Sequence, residues 1–333
     1  MSEPDFAHNY VSAGRLHDWG QPGRIILITG GYGFIGKHLV RRCLALGYHV
    51  INVDCVNYAA DRVVRDEFQG APNYRAQETD LVQLGYLPEC DVIVNLAAES
   101  HVDNSISDNT KFCQSNIMGV QRLLELVRMK QPADRPRFVQ ISTDEVYGEA
   151  IDAPHLETDM LLPSNPYSAT KAAADMMVMS WARTYGLDCN IVRPTNNYGE
   201  HQYPEKLIPK SCSRLKRGLP AILHGNGSYV RCWVHVEDTV DAILTVVHHG
   251  KANTIYNAGG VEYLENVEIV RKLARTLGVS ENGAMSFAPD RLGQDRRYSV
   301  DSTRLKALGW SPKRSFDSEL ERLVHPSEFH RFL

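Results

Sequence analysis

The stretch Ile141-Ser142-Thr143-Asp144-Glu145-Val146-Tyr147-Gly148 runs an apolar strand straight into two adjacent carboxylates. Charge at the end of a buried strand is costly unless it finds partners or does chemistry. Burial and like-charge repulsion can hold two such acids in different protonation states. The competing reading is that Asp144 caps a turn while Glu145 makes a surface ion pair. Downstream, NPYSATKAAAD sets Tyr167 and Lys171 four residues apart, on one face of a helix. An ammonium near a phenol favours phenolate, which makes Tyr167 a general base for a sugar or alcohol hydroxyl. Thr143, Asp144, Glu145, Tyr167 and Lys171 form the candidate catalytic set.

A redox partner is suggested nearer the start. IILITGGYGFIGKHLV carries Gly30, Gly33 and Gly36 between a strand and a helix. Glycines there tighten the turn and let a pyrophosphate reach the first helical turn, where free N–H groups and the helix dipole favour an anion. Asp54 ends the next strand, 18 residues after Gly36. A carboxylate at that place accepts both ribose hydroxyls and repels a 2′-phosphate, which favours NAD over NADP. VIVNLAAES follows another strand with the small residues Ala97 and Ala98, where a cofactor would lie against the sheet edge.

The elements that position these residues repeat. Apolar runs at 25–28, 50–53, 92–95, 138–141 and 190–192 alternate with helical patterns such as HLVRRCLAL and VQRLLELV. Short strands apolar on both faces predict a parallel sheet covered by helices, an α/β fold of the Rossmann, doubly wound kind. Residues 24–194 are expected to form the dinucleotide-binding domain, regaining part of roughly 232–250. The remainder of 195–333, broken by Pro204, Pro209, Gly218, Pro220, Gly225 and Gly227, forms a smaller α/β substrate domain. Residues 1–23 read as an extension outside the fold.

Composition narrows the partners. A net charge of −4 over 333 residues, with 43% hydrophobic residues, gives no basic surface for nucleic acid or anionic membrane. Seven cysteines without a C-x-x-C pair suggest reduced thiols in the cytoplasm, neither a disulfide framework nor a zinc site. The thirteen histidines show no metal-ligand spacing, so no metal is expected. No run approaches the roughly 18 apolar residues of a membrane span.

Taken in order, AAESHVDNSI (97–106), TDEVYG (143–148), NPYSATKAAAD (165–175), TNNYGEHQYPEKLIPK (195–210), RCWVHVEDTVDAI (231–243) and DRLGQDRRYSVD (290–301) resemble the dTDP-glucose 4,6-dehydratase family of extended short-chain dehydrogenase/reductases. The resemblance spans nearly the whole folded chain, and the Asp144-Glu145 pair is its most specific mark. It implies that Tyr167 takes the 4-hydroxyl proton of a nucleotide hexose while NAD accepts hydride, with Thr143 holding that oxygen. Glu145 then removes the C5 proton, protonated Asp144 releases the 6-hydroxyl as water, hydride returns to C6 and C5 is reprotonated.

The same resemblance assigns cofactor contacts to Gly30, Gly33, Phe34, Ile35, Gly36, Asp54, Asn57, Asp80, Leu81, Leu96, Ala97, Ala98, Ser100, Ser115, Tyr167, Lys171 and Asn197. It assigns substrate contacts to Ser100, Thr143, Asn196, Lys206, Leu207, His224, Arg231, Asn266, Arg291 and Gln294. Lysine, arginine and amide side chains suit a nucleoside diphosphate. The chain departs from the family at Gln294 (usually histidine), at His224 (usually tyrosine) and at Arg231-Cys232-Trp233 (usually R-D-W), which leaves UDP-glucose open beside dTDP-glucose. The link after Asp80 is also shorter than the family's, so a helix there is expected to be trimmed. Met176, Met177 and Met179 on the Lys171 helix read first as core, whereas the resemblance implies a homodimer through a four-helix bundle. Rival readings are an NAD-dependent epimerase, a dehydratase of other regiochemistry, and a non-catalytic sugar-nucleotide sensor.

Overall fold

The strand Ile25–Thr29 lies in the interior of a seven-stranded parallel sheet, beside its central strand, in a computed structural model that describes residues 23–325. Across the sheet the order is Thr254–Ala258, Cys189–Pro194, Arg137–Ile141, Val92–Asn95, Ile25–Thr29, His49–Asp54 and Tyr74–Glu78. Side chains alternate across a strand, so both faces need cover. Ile26 and Ile28 pack on one side with Leu39, Val40, Val240, Ile243 and Val247, beneath helices Phe34–Ala45 and Val236–His249. Leu27 faces the other way, with Ile93, Phe138, Leu123, Val127 and Val178, beneath helices Gly119–Met129 and Pro166–Tyr185. Each such side chain, fully withdrawn from water, contributes about 1.5–3 kcal/mol of transfer free energy.

Strands Val92–Asn95 and His49–Asp54 flank Ile25–Thr29 in parallel, with their following segments leaving on opposite faces. The crevice of an open α/β sheet forms at such a reversal, beyond the C-terminal strand ends. Gly30 stands there with φ +71°, and a Cβ on it would lie 2.9 Å from the Ala97 backbone. Only glycine fits both the conformation and the approach.

The second region has its own core. Asn196–Tyr198, Val230–His235 and Glu262–Glu265 form a three-stranded sheet, and Ala221–His224 pairs with Met285–Ala288. Helices Leu207–Lys216, Asn266–Thr276 and Phe316–Leu323 cover it through Ile208, Ile269, Leu273 and Phe316. The chain returns to the large sheet through part of 232–250 and runs on beyond it. Val230–His235 stays with the small sheet, while helix Val236–His249 and strand Thr254–Ala258 rejoin the large one. The loop before that strand gave no sign of where the strand would pair. Between Tyr74–Glu78 and Val92–Asn95 only the short 3₁₀ turn Leu81–Gln83 intervenes, in keeping with a trimmed helix. The expected extension at 1–23 lies, apart from Gly23, outside the described residues, as do the last eight residues of the expected substrate domain. No described helix is long and apolar enough to cross a membrane.

Candidate active site

The helix Phe34–Ala45 begins at Gly33 with no side chain capping it. Its first amides therefore face the crevice as an anion site. Gly36 is fixed by packing, since a Cβ would fall 2.1 Å from the Gly30 carbonyl oxygen. Asp54 ends its strand with a buried carboxylate that accepts from the Tyr32 and Val56 amides at 3.0 and 2.8 Å. Burial raises its pKa, and those two bonds act against the rise. Glycine turn, uncapped helix and strand-end carboxylate together suit the pyrophosphate and ribose of a dinucleotide.

These residues line a chamber of about 310 Å³ that also takes in Phe34, Ile35, Asn57, Leu96, Ala97, Ala98, Ser100, Ser115 and Asn197. Thr143, Asp144, Glu145, Tyr167 and Lys171 close its inner end. A second chamber of about 220 Å³ continues from it, sharing Glu145, Ser100, Asn196 and Lys206, and running on to Leu207, His224, Arg231, Asn266, Arg291 and Gln294. Glu145 thus stands at the junction of the two. Asp80 and Leu81, expected at the adenine, line neither chamber: Asp80 caps the 3₁₀ turn through the Val82 amide, and Leu81 is in the core. The short link draws Leu81 under the sheet, where its burial outweighs a rim contact.

Three elements build the catalytic end. Strand Arg137–Ile141 delivers Ser142 and Thr143 to its C-terminal edge, and Thr143 caps the short turn Asp144–Tyr147 by accepting from the Glu145 amide at 3.3 Å. Helix Pro166–Tyr185 starts at Asn165 in a capping box with Ser168, so Tyr167 and Lys171 occupy its first turns. From that cap, Asn165 Nδ2 donates to Glu145 Oε2 at 3.3 Å. Asn165 was not anticipated from the sequence, although asparagine before proline is itself a helix-start signal.

Burial and the neighbouring Glu145 charge push Asp144 up to about 8, with Arg231 and the Thr143 hydroxyl acting against the rise. Asp144 Oδ2 is buried without a hydrogen-bond partner. Such an oxygen is more cheaply buried as a neutral acid. Glu145 is also raised by burial, against Arg231, Asn165 and Lys206. The positive side chains thus act more directly on Glu145, and Asp144 is the proton holder of the pair.

The relation expected between Lys171 and Tyr167 takes a different form. Lys171 Nζ donates to the Ile141 carbonyl at 2.6 Å. Burial lowers its pKa to about 8, and Asp175, one turn on, acts to raise it. Tyr167 is pushed up by burial and by the Glu145 and Asp144 charges, and a Thr143 hydrogen bond lowers it. In the protein alone, therefore, the field around the phenol opposes phenolate.

In the second chamber, Lys206 donates to the Ser100 carbonyl at 2.9 Å. Arg231 gives Nη1 and Nη2 to the Val230, Arg296 and Asp295 carbonyls and stacks on Tyr298, 4.3 Å from the ring centroid. Its role is a fixed positive charge more than a free pair of donors. Arg291 is paired with Asp103, which an incoming diphosphate would have to displace. Asn196 Oδ1 and Gln294 Oε1 are buried without partners. Tyr298 and Asp295 were not signalled by the sequence, because only the fold sets their segment beside Val230–His235.

A family model described as GDP-mannose 4,6 dehydratase matches residues 27–323. The low-salt glycan biosynthesis protein Agl12 of Haloferax volcanii is 43% identical over 304 residues, covering 90% of this chain and 97% of its own. The dTDP-glucose 4,6-dehydratase 1 of Escherichia coli K12 is 36% identical over 332 residues, covering 90% and 91%. Among solved structures, DesIV, a dTDP-glucose 4,6-dehydratase of Streptomyces venezuelae solved with NAD bound, superposes with a TM-score of 0.84 at 39% identity, covering 90% of this chain and 95% of that one. By sequence, fold and the family model alike, this chain belongs to the dTDP-glucose 4,6-dehydratase family of NAD-dependent hydro-lyases, within the extended short-chain dehydrogenase/reductases.

Proposed function

We propose that this protein converts dTDP-glucose or UDP-glucose to the corresponding 4-keto-6-deoxy sugar nucleotide. The observation that carries the reading is the Asp144-Glu145 pair, buried where the two chambers meet and beside Thr143 and Tyr167. NAD, bound along the glycine turn and Asp54, supplies a hydride acceptor and donor and a positive ring charge. Tyr167 takes the 4-hydroxyl proton, and Thr143 holds that oxygen. Glu145 removes the C5 proton, which the new ketone has made acidic. Asp144, protonated below about 8, gives its proton to the departing 6-hydroxyl, after which C6 would take the hydride back and C5 would be reprotonated.

Lys206, Arg231 and Arg291 supply positive charge for the diphosphate, with Asn196, Leu207 and Asn266 around it. His224 and Gln294 line the same chamber, and we assign them to the nucleoside. An epimerase acting at C4 needs no base at C5, and a sensor needs no proton-transfer set, so both alternatives leave the acid pair without work. Seven free thiols support a reducing compartment, the cytoplasm. Exposed methionines on helices Gly119–Met129 and Pro166–Tyr185, or just before them, support a homodimer through a four-helix bundle.

The test is mass spectrometry of the purified protein with dTDP-glucose and UDP-glucose, separately and in competition, with and without added NAD. Loss of one water from either sugar nucleotide supports the reading, and the faster of the two identifies the base. No change in either after NAD is supplied would overturn it.

A further inference from the structure

Lys37 is a lysine with almost no exposure, and it lines neither chamber. It follows Gly36 on the helix whose start forms the dinucleotide crevice. Its Nζ donates to Asp61 Oδ2 at 2.9 Å and to the His201 carbonyl at 2.6 Å. Asp61 closes the segment that leaves Asp54, accepting from the Val63 amide at 3.1 Å. His201 lies in the loop that carries Gln202, Tyr203, Glu205 and Lys206 to the chambers, and it holds φ +64°, a conformation a histidine adopts at a cost.

The next residue reaches the same loop. His38 Nε2 is 3.2 Å from the Glu200 carbonyl, while Nδ1 is 2.7 Å from Glu237 Oε1. Two consecutive side chains of one helix thus hold two consecutive carbonyls of the loop. A third tie crosses the mouth of the cleft, where the Tyr58 hydroxyl donates to Glu205 Oε2 at 3.2 Å and Tyr58 packs edge-on against Tyr203. A lysine buried with a carboxylate costs desolvation and is weak evidence for stability, so the cost asks for another use.

We infer that Lys37 and His38 are positioning residues that lock residues 199–206 over the crevice, so that cofactor retention and nucleotide-sugar affinity rise and fall together. The inference rests on the dehydratase reading for its substrate but not for its cofactor. Lys37 joins three walls of the first chamber: the pyrophosphate helix, the segment after Asp54, and the loop bearing Lys206. Loosening that joint frees the loop, and with it both the cover of the cofactor and one cation of the diphosphate site. The chemistry at Asp144, Glu145 and Tyr167 is built on other elements and is untouched.

The test uses Lys37→Met/Asp61→Asn, which removes both charges of the buried pair and leaves no lone ion, and His38→Gln as a second variant. NAD content of the purified proteins, NAD dissociation rate, proteolysis within 199–206, and kcat and KM for the accepted sugar nucleotide are measured. The expected result is faster NAD loss and faster cleavage in both variants, with KM raised about fivefold or more and kcat at saturating NAD within about twofold. Lower melting temperature with unchanged NAD release, proteolysis and KM would overturn the inference and leave the pair purely structural. If the double variant does not fold, His38→Gln decides alone. A wild type that holds NAD but dehydrates neither sugar would refute the dehydratase reading while leaving the NAD and proteolysis comparisons to judge Lys37 and His38.

Discussion

Asn165 caps the helix that carries Tyr167 and, with the same side chain, donates to Glu145 at 3.3 Å. One residue therefore ties the turn bearing the two acids to the helix bearing the phenol. The hydrogen bond favours the ionised form of Glu145 and acts against the rise that burial imposes. A carboxylate beside a neutral acid is the division of labour that elimination of water requires.

Replacing Glu145 by Gln keeps the volume and removes the proposed C5 base. The first oxidation does not use Glu145, so reduced cofactor and 4-keto hexose are expected to accumulate on the enzyme. Turnover is expected to fall by about 10²–10⁴-fold, the usual worth of a general base. Nicotinamide absorbance in a single turnover, with mass spectrometry for water loss, checks both. Normal turnover would remove Glu145 from this role.

Asp144 makes a prediction about pH. As the proposed proton donor it would work in the acid form, so the elimination rate is expected to fall as pH rises through about 8. The sign for stability follows from the same shift. The folded value lies above the ordinary 3.8, so the fold binds this proton more tightly than the unfolded chain. That stabilisation is complete below about 4 and is lost as pH rises through about 8. Asp144→Asn cannot ionise. It is expected to slow elimination at every pH, to abolish this alkaline limb, and to melt higher than wild type above pH 8. A rate profile unchanged in shape in the variant would assign the limb to another group.

Tyr167→Phe removes the phenol oxygen that, on the proposed reading, accepts the first proton as phenolate. Neither cofactor reduction nor water loss is expected, because both later steps need the C4 ketone. Undiminished nicotinamide absorbance on adding sugar nucleotide would assign the proton transfer elsewhere, with Thr143 the nearest hydroxyl. Since the phenol is already buried, the variant is expected to fold, and NAD content reports on that independently.

The strands that ran apolar on both faces were legible because a central parallel strand has no solvent side. Tyr74–Glu78 was not, since YRAQE is an edge strand with only Tyr74 fully buried. Thr254–Ala258 escaped notice for another reason. It returns to Cys189–Pro194 only after Asn196–Tyr198 through Val230–His235 in the substrate region and helix Val236–His249 back on the large sheet, and local pattern carries no pairing information across such a gap. The site divides in the same way. Thr143, Asp144, Glu145, Tyr167 and Lys171 lie in compact motifs, whereas Tyr298 matters because it stacks on Arg231 from a distant segment. Lys171 illustrates a subtler limit: spacing put it beside Tyr167, but only the fold shows its ammonium on the Ile141 carbonyl.

The methionines of the Lys171 helix split between two environments, and that split bears on assembly. Met177 and Met179 pack against the core, as their composition suggested, while Met176 is 67% exposed. On the adjoining helical segment Met118 and Met129 are 50% and 70% exposed. The two helices are joined by Trp181 Nε1 donating to Glu125 at 2.8 Å and by Arg128 over the Tyr185 ring, so they would present a pre-formed pair to a second copy. A stable interface of this kind buries about 1,200–2,000 Å² in total. Wild type is expected to sediment at twice the chain mass. Met118→Lys/Met176→Lys puts two charges into the buried centre and is expected to weaken association by tenfold or more, about 1.4 kcal/mol. Sedimentation across a concentration series, with NAD content as the control for folding, decides the matter. A monomeric wild type, or a double variant that dimerises as tightly, would rule out this face as the interface.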